Sequence, residues 1–298
     1  MASRFATLFS LTKPGIVFGN LVSVTGGYLL GSPDGIQWGQ GFLVAVGVSM
    51  VVASGCVANN VADRDIDALM ARTRGRALVD GRIAPAAALA WSALLGLGGL
   101  GLLYLATGRW LPLLLVLAGF GVYVGGYTLW LKRRSVHGTL IGSLSGAMPP
   151  VVGYCAAAGR FDLAALLLLI TFALWQMPHS YAIAIFRGPD YQAARIPVLP
   201  LVRGLAAARR QMVAYAVAFT LSALALGLAG YAGPFYLAVA AVSGVSWLRL
   251  CLRRPGAQGP VRWSRGVFGA SILVVMALSA GMALDAQRPR ACASLHGQ

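Results

Sequence analysis

A chain of 298 residues that is 58% hydrophobic and only 11% charged, at a mean hydropathy of +0.74, is excluded from the class of water-soluble domains. Its formal net charge of +16 raises the question of nucleic acid. The basic residues, however, lie between apolar runs and build no continuous basic face, so the sequence predicts a lipid bilayer and no nucleic-acid partner. Cys56, Cys155, Cys251 and Cys292 stand apart, without a CxxC pair or Cys/His spacing, and read as small apolar filler rather than a metal centre.

Apolar runs long enough to cross a bilayer lie near 14–32, 41–62, 86–106, 111–131, 138–158, 162–186, 210–230, 234–252 and 267–285. Segments this apolar must be helical, because an open sheet edge has no partners in lipid. The expected fold is therefore all-α: a polytopic membrane protein with nine transmembrane helices in a bundle, one domain over residues 1–298. Thr12-Lys13-Pro14 opens the first helix, with Thr12 placed as a cap and Pro14 in the first turn. Arg4 and Lys13 before an apolar run resemble a signal peptide, but no A-x-A type site follows, so this run is read as a retained helix. Pro33, Pro85, Pro112 and Pro234 mark other ends, and the abundant glycine suits close helix packing.

Basic residues orient these runs. With the N-terminus inside, Arg109, Arg160, Arg288 and Arg290 fall outside, and the other 20 of the 24 Lys and Arg fall inside. The split predicts an N-in, C-out topology. The long connections, near 63–85 and 187–209, are then both cytoplasmic, and each follows a span and carries aspartate, as in a weak four-helix pseudo-repeat. The tail from about 286 is polar.

The chain has no Glu, and three of its eight acids lie in one stretch, Asn59-Asn60-Val61-Ala62-Asp63-Arg64-Asp65-Ile66-Asp67. On a helix Asn59, Asp63 and Asp67 share one face and Asp65 points away. Carboxylates one turn apart repel, so a divalent cation or arginine should sit beside them; Arg72, Arg74 and Arg76 follow directly. Acids beside guanidinium groups suit a metal–phosphate complex, since Mg²⁺ takes a few carboxylate oxygens plus substrate phosphates and Arg grips phosphate bidentately. The competing reading is a solvated charged loop. Asp190 is either a turn residue after Gly188-Pro189 or a partner of the first row. Lys132 and Arg133 are either membrane anchors or anion ligands. His179, in Trp175-Gln176-Met177-Pro178-His179, is costly to place in a span and is either structural or turned to a cavity. Tyr127 and Trp130 read as belt aromatics.

The spacing Asn59-x3-Asp63-x3-Asp67-x4-Arg72-x3-Arg76 resembles the first aspartate motif of the UbiA-type intramembrane prenyltransferases. Four stretches, 11–20, 59–78, 142–156 and 175–200, resemble the haem-directed branch of that superfamily more closely. The resemblance implies a helical bundle around a central cavity, with farnesyl diphosphate and haem b as substrates and Mg²⁺ as cofactor. It implies Asn59, Asp63, Asp67 and Asp190 as catalytic and metal residues. Arg72, Arg76, Lys132, Arg133 and Arg187 become the diphosphate ligands, and His179 a haem-side residue. It further implies a bacterial inner-membrane location and association with haem A synthase or terminal-oxidase assembly. Position 194 is Ala where the superfamily's second motif carries its second Asp, which fits the haem-directed branch and leaves the number of Mg²⁺ ions open. Two other readings stay open: a prenyltransferase acting on a quinone precursor or chlorophyllide, and a cation-coupled transporter using the paired Asp.

Overall fold

The protein's structure, a computed structural model, describes residues 4–257 and 259–287. Arg288, Arg290, Cys292 and His296 lie outside the described residues. The elements are α1 (Arg4–Leu11), α2 (Pro14–Leu30), α3 (Trp38–Ala62), α4 (Arg64–Leu69), α5 (Pro85–Thr107) and α6 (Trp110–Gly121), which runs on as a π-helix (Val122–Leu131). Then come α7 (Gly138–Ala158), α8 (Leu163–Phe186), α9 (Gly188–Ala193), α10 (Leu199–Leu228), α11 (Pro234–Leu252) and α12 (Gly259–Leu284). Eight helices among the described residues are long and apolar enough to span a membrane. The first expected span is instead a bent pair, Phe5–Leu11 and Pro14–Leu30, at 60°. Lys13 occupies the break at φ 55° and Pro14 restarts the helix without needing its missing N–H.

Local chemistry sets the ends. Asp162 caps α8 by accepting from the backbone N–H of Ala164 and Ala165, at 3.0 and 3.3 Å, and takes the Tyr154 hydroxyl at 2.9 Å. Pro85 and Pro234 open α5 and α11. Helices α2 and α7 touch through glycine: a Cβ on Gly27 would stand 2.0 Å from the Pro150 carbonyl oxygen, and one on Gly153 2.1 Å from that of Val24. Only backbone with no side chain on that face allows this approach. The expected loop near 187–209 is mostly helical. It holds α9 and the start of α10, whose turn is broken at Gly204, φ 79° and ψ 166°.

The connections sort to two ends. At one end Arg109 donates to the Ala156 carbonyl, Gln40 to that of Ala106, and the backbone after α12 pairs with that before α11 through Gly233, Tyr231 and Ala232. At the other end the α4 region meets the α9 region: Ile66 and Met70 pack on Ala194 and Ile196, with Tyr191 and Val198 alongside. The two aspartate-bearing connections are therefore docked on each other.

Candidate active site

The acid row survives a helix boundary. Helix α3 ends at Ala62, and Asp63 (φ −93°, ψ 4°) hands the chain to α4. The hydrogen bonds still run through, from Asp63 N–H to Asn59 at 2.9 Å and from Asp67 N–H to Asp63 at 2.8 Å. Asn59, Asp63 and Asp67 thus keep one face and are 2–4% exposed, whereas the Asp65 side chain is 65% exposed.

A basic ring neutralises the row. Arg76 pairs with Asp67 at 2.5 Å and also donates to Asn60 at 3.0 Å; Lys132 pairs with Asp63. Arg133 makes a bidentate pair with Asp65, at 2.6 and 2.7 Å, and reaches only 3.9 Å from Asp63. The Asp65 carboxyl is held below its ordinary range by that hydrogen bond. Asn59 donates to Asp63 at 2.8 Å and to Thr128 at 3.0 Å, and Lys13 donates to Asn59 at 2.5 Å. Lys13 and Thr128 are the site residues that reading the sequence misses. Lys13 counts there only as a topological charge, although it lies in one of the stretches that carry the resemblance. Thr128 reaches the row because the second half of its span is π-helical. That wider ladder, with Lys132 N–H bonded to Tyr127 at 2.9 Å, carries both Thr128 and Lys132 to Asn59 and Asp63.

Asp190 stands in a neighbouring pocket of about 410 Å³ with Ala71, Arg72, Phe186, Arg187 and Pro189. Burial pulls the Arg72 guanidinium below its ordinary value, with Arg76 and Arg187 acting the same way and Tyr191 and Asp190 opposing. It stays a cation at any ordinary pH. Tyr191, which packs on the cluster of Ile66, Met70, Ala194 and Ile196, has its phenol pushed up to about 12 by burial. Among the described residues no three His, Cys, Asp or Glu side chains are close enough to hold a metal ion. Mg²⁺ needs fewer, because substrate phosphates and water complete its shell. The Asp63 Oδ1 atom fits such a role: it is buried, accepts no hydrogen bond and lies within a ring of cations.

Directly along α3 from the row, a cavity of about 190 Å³ is lined by Val51, Val52, Gly55 and Cys56, by Ile16 and Asn20 of α2, by Phe120 and Tyr123, and by Met148, Pro149 and Gln176. Cys56 is seven residues from Asp63, roughly 10 Å along the axis. A charged head at the acid row would thus place an apolar tail in this cavity. His179 lies elsewhere, on the seam of α8 and α12. Trp175 and Phe268 flank its ring, with centroids at 4.7 and 4.9 Å, and Ser271 bonds its Nδ1 at 2.7 Å.

A polytopic helical bundle with buried aspartates, a basic ring and an apolar cavity at one mouth defines an intramembrane enzyme for anionic, long-tailed substrates. The chain belongs to the UbiA prenyltransferase family, whose pattern it matches over residues 20–272. It is 55% identical over 277 residues to protoheme IX farnesyltransferase 2 of Pseudomonas entomophila, covering 93% of this chain and 94% of that one. It is 53% identical over 285 residues to protoheme IX farnesyltransferase of Citrobacter koseri, covering 96% of each. Among solved structures it shares its fold with digeranylgeranylglyceryl phosphate synthase, at TM-score 0.74, 19% identity and coverage of 94% and 98%. A UbiA homologue from Archaeoglobus fulgidus bound to GPP and Mg²⁺ follows at 0.68, 15% identity and coverage of 93% and 99%.

Proposed function

We propose that this chain transfers the farnesyl group of farnesyl diphosphate to a vinyl group of haem b. The observation that carries the reading is the 55% identity, over nearly the whole length, to proteins named as protoheme IX farnesyltransferases. The site agrees with it: acids and cations meet at the mouth of an apolar cavity.

Asn59, Asp63 and Asp67, with Asp190 from the adjoining pocket, would hold Mg²⁺ on the diphosphate. When bound, Mg²⁺ supplies positive charge to oxygens that become more anionic as the carbon–oxygen bond breaks. Arg72, Arg76, Lys132, Arg133 and Arg187, joined by Lys13, bind the same anion and stabilise its developing charge. The acid row keeps Lys132 and Arg76 pre-positioned, so little side-chain reordering is needed on binding. The apolar cavity holds the tail and keeps bulk water from the allylic cation. The vinyl group attacks that cation, diphosphate leaves with the bonding pair, and one water adds to the resulting carbon with loss of a proton.

The topology belongs to the same proposal. Counting the bent α1–α2 pair as one span gives nine, N-in and C-out, in one domain of a bacterial inner membrane, with the acid row facing the cytoplasm. Association with haem A synthase or terminal-oxidase assembly would hand on the product. The test is incubation of the purified protein in lipid nanodiscs with haem b, farnesyl diphosphate and Mg²⁺. The pigment should gain one farnesyl and one hydroxyl group by mass. No new pigment, with the acceptor and donor both bound, would refute the reading.

A further inference from the structure

The acid row and its cavity account for the donor and leave open where a flat, metal-bearing acceptor sits. Helix α8 carries a second stripe. Trp175, His179 and Phe186 fall within about 40° of one another around its axis, and all three are only partly buried. Phe268 of α12 sits between His179 and Phe186, with centroids 4.9 and 5.5 Å away. The His179 ring is flanked by Trp175, stacked at 4.7 Å, and by Phe268, tilted at 39° to it.

Its nitrogens can be assigned. The Ser271 hydroxyl donates its one proton to the Phe268 carbonyl at 2.6 Å, so toward His179 Nδ1, at 2.7 Å, it can only accept. His179 is thereby fixed as the Nδ1–H tautomer, and its Nε2 keeps a lone pair. Ser271 is itself fully buried and is braced by Trp175, whose indole N–H donates to the Ser271 carbonyl at 2.9 Å. With Nδ1 engaged by Ser271, Nε2 is the ring nitrogen left to meet a ligand. Two turns along, Arg265 lies over Phe186 at 6.0 Å, exposed and without an ion-pair partner among the described residues. Phe186 also walls the pocket that holds Arg72 and Asp190, so the seam opens beside the donor site.

We infer that this α8–α12 seam is the acceptor subsite: His179 Nε2 ligates the iron of a planar macrocycle, Arg265 pairs with a macrocycle carboxylate, and Ser271 is the residue that positions the imidazole. The inference rests on the proposed haem acceptor. The distance supports it, since the seven residues from His179 to Phe186 span roughly 10 Å, the scale from the centre of such a macrocycle to its carboxylate arms. The aromatic edges supply apolar contact without competing for the metal.

Titration of the full-length protein with ferric haem b, followed in the Soret band, tests it alongside titration with farnesyl diphosphate and Mg²⁺. His179→Ala should weaken haem binding about tenfold or more and remove the axial-ligand spectrum, while added imidazole restores that spectrum. Ser271→Ala keeps the ligand but frees its tautomer, and should weaken haem binding about fivefold with an altered ferric EPR signal. Arg265→Gln should weaken haem b about fivefold and leave the dimethyl ester of haem unaffected. Donor affinity should stay unchanged in all three, which also reports that each variant is folded. Unaltered haem affinity and spectrum in His179→Ala would overturn the subsite and leave the proposed reaction standing. A wild-type protein that binds no haem would instead remove the reading on which the subsite depends.

Discussion

Asp63 and Asp65 are two residues apart and face opposite environments. Asp63 is buried against Lys132 and keeps one oxygen without a hydrogen bond; Asp65 is exposed and saturated by Arg133. Asp63→Asn or Asp67→Asn should lower turnover at least about a hundredfold, roughly 2.7 kcal/mol in the barrier. Asp65→Asn should lower it only a few-fold, through a loosened Arg133. Single-turnover rates at saturating Mg²⁺ would show this, and equal losses at all three would contradict it. The row is legible in the sequence because helical spacing survives the hinge at Asp63. Lys13 and Thr128 are not, because their contacts to Asn59 join residues 46 and 69 positions apart and need the break before α2 and the π-helix to bring them in. At position 194 the sequence shows only that a carboxylate is missing, and the structure shows the apolar contact that the Ala makes there. Ala194 is 8% exposed and packs with Ile66, Met70 and Ile196. Ala194→Asp would bury an unpaired acid there, at a cost of about 1–3 kcal/mol. The α4 and α9 regions should part, which limited proteolysis would reveal as faster cleavage in 187–198.

At the scale of the helices, hydropathy locates the spans but not their internal irregularities. The span expected at 111–131 is α-helical to Gly121 and π-helical beyond it. No run-length argument sees that change of pitch, although Gly125-Gly126 lowers the helical preference there. The beginning of α10 is hidden because Arg203, Arg209 and Arg210 interrupt its apolar run. Glycine at helix contacts is expected in kind, and the structure places it between α2 and α7. Gly153→Ala or Gly27→Ala would drive a methyl group into backbone that cannot move as a side chain does. Each should destabilise the bundle by about 1–3 kcal/mol or more, read as a lower thermal midpoint in detergent. Gly101, where an added methyl group would meet nothing within 4 Å, is the control: Gly101→Ala should leave that midpoint nearly unchanged or raise it.

Across the whole molecule, charge is divided between the two ends. The end holding Arg109 and Arg160 carries few cations, while the other collects Lys13, Arg72, Arg76, Lys132, Arg133, Arg187 and Arg265 beside the acid row. The same asymmetry serves two purposes. In the proposed orientation it would retain the basic end in the cytoplasm during insertion, and it would concentrate cations where a diphosphate arrives from water. If both hold, the donor must enter from the cytoplasm. Gly75 and Gln192 are exposed at that end, and Ile36 is exposed at the opposite one. Gly75 has open space around it, so Gly75→Cys should leave the fold intact. In a variant lacking Cys56, Cys155, Cys251 and Cys292, a thiol at 75 or 192 should resist an impermeant maleimide in intact spheroplasts and react once the membrane is opened. A thiol at 36 should react in both. Labelling of 75 and 192 in closed spheroplasts would place the acid row outside and would require farnesyl diphosphate to be delivered from the wrong side of the membrane.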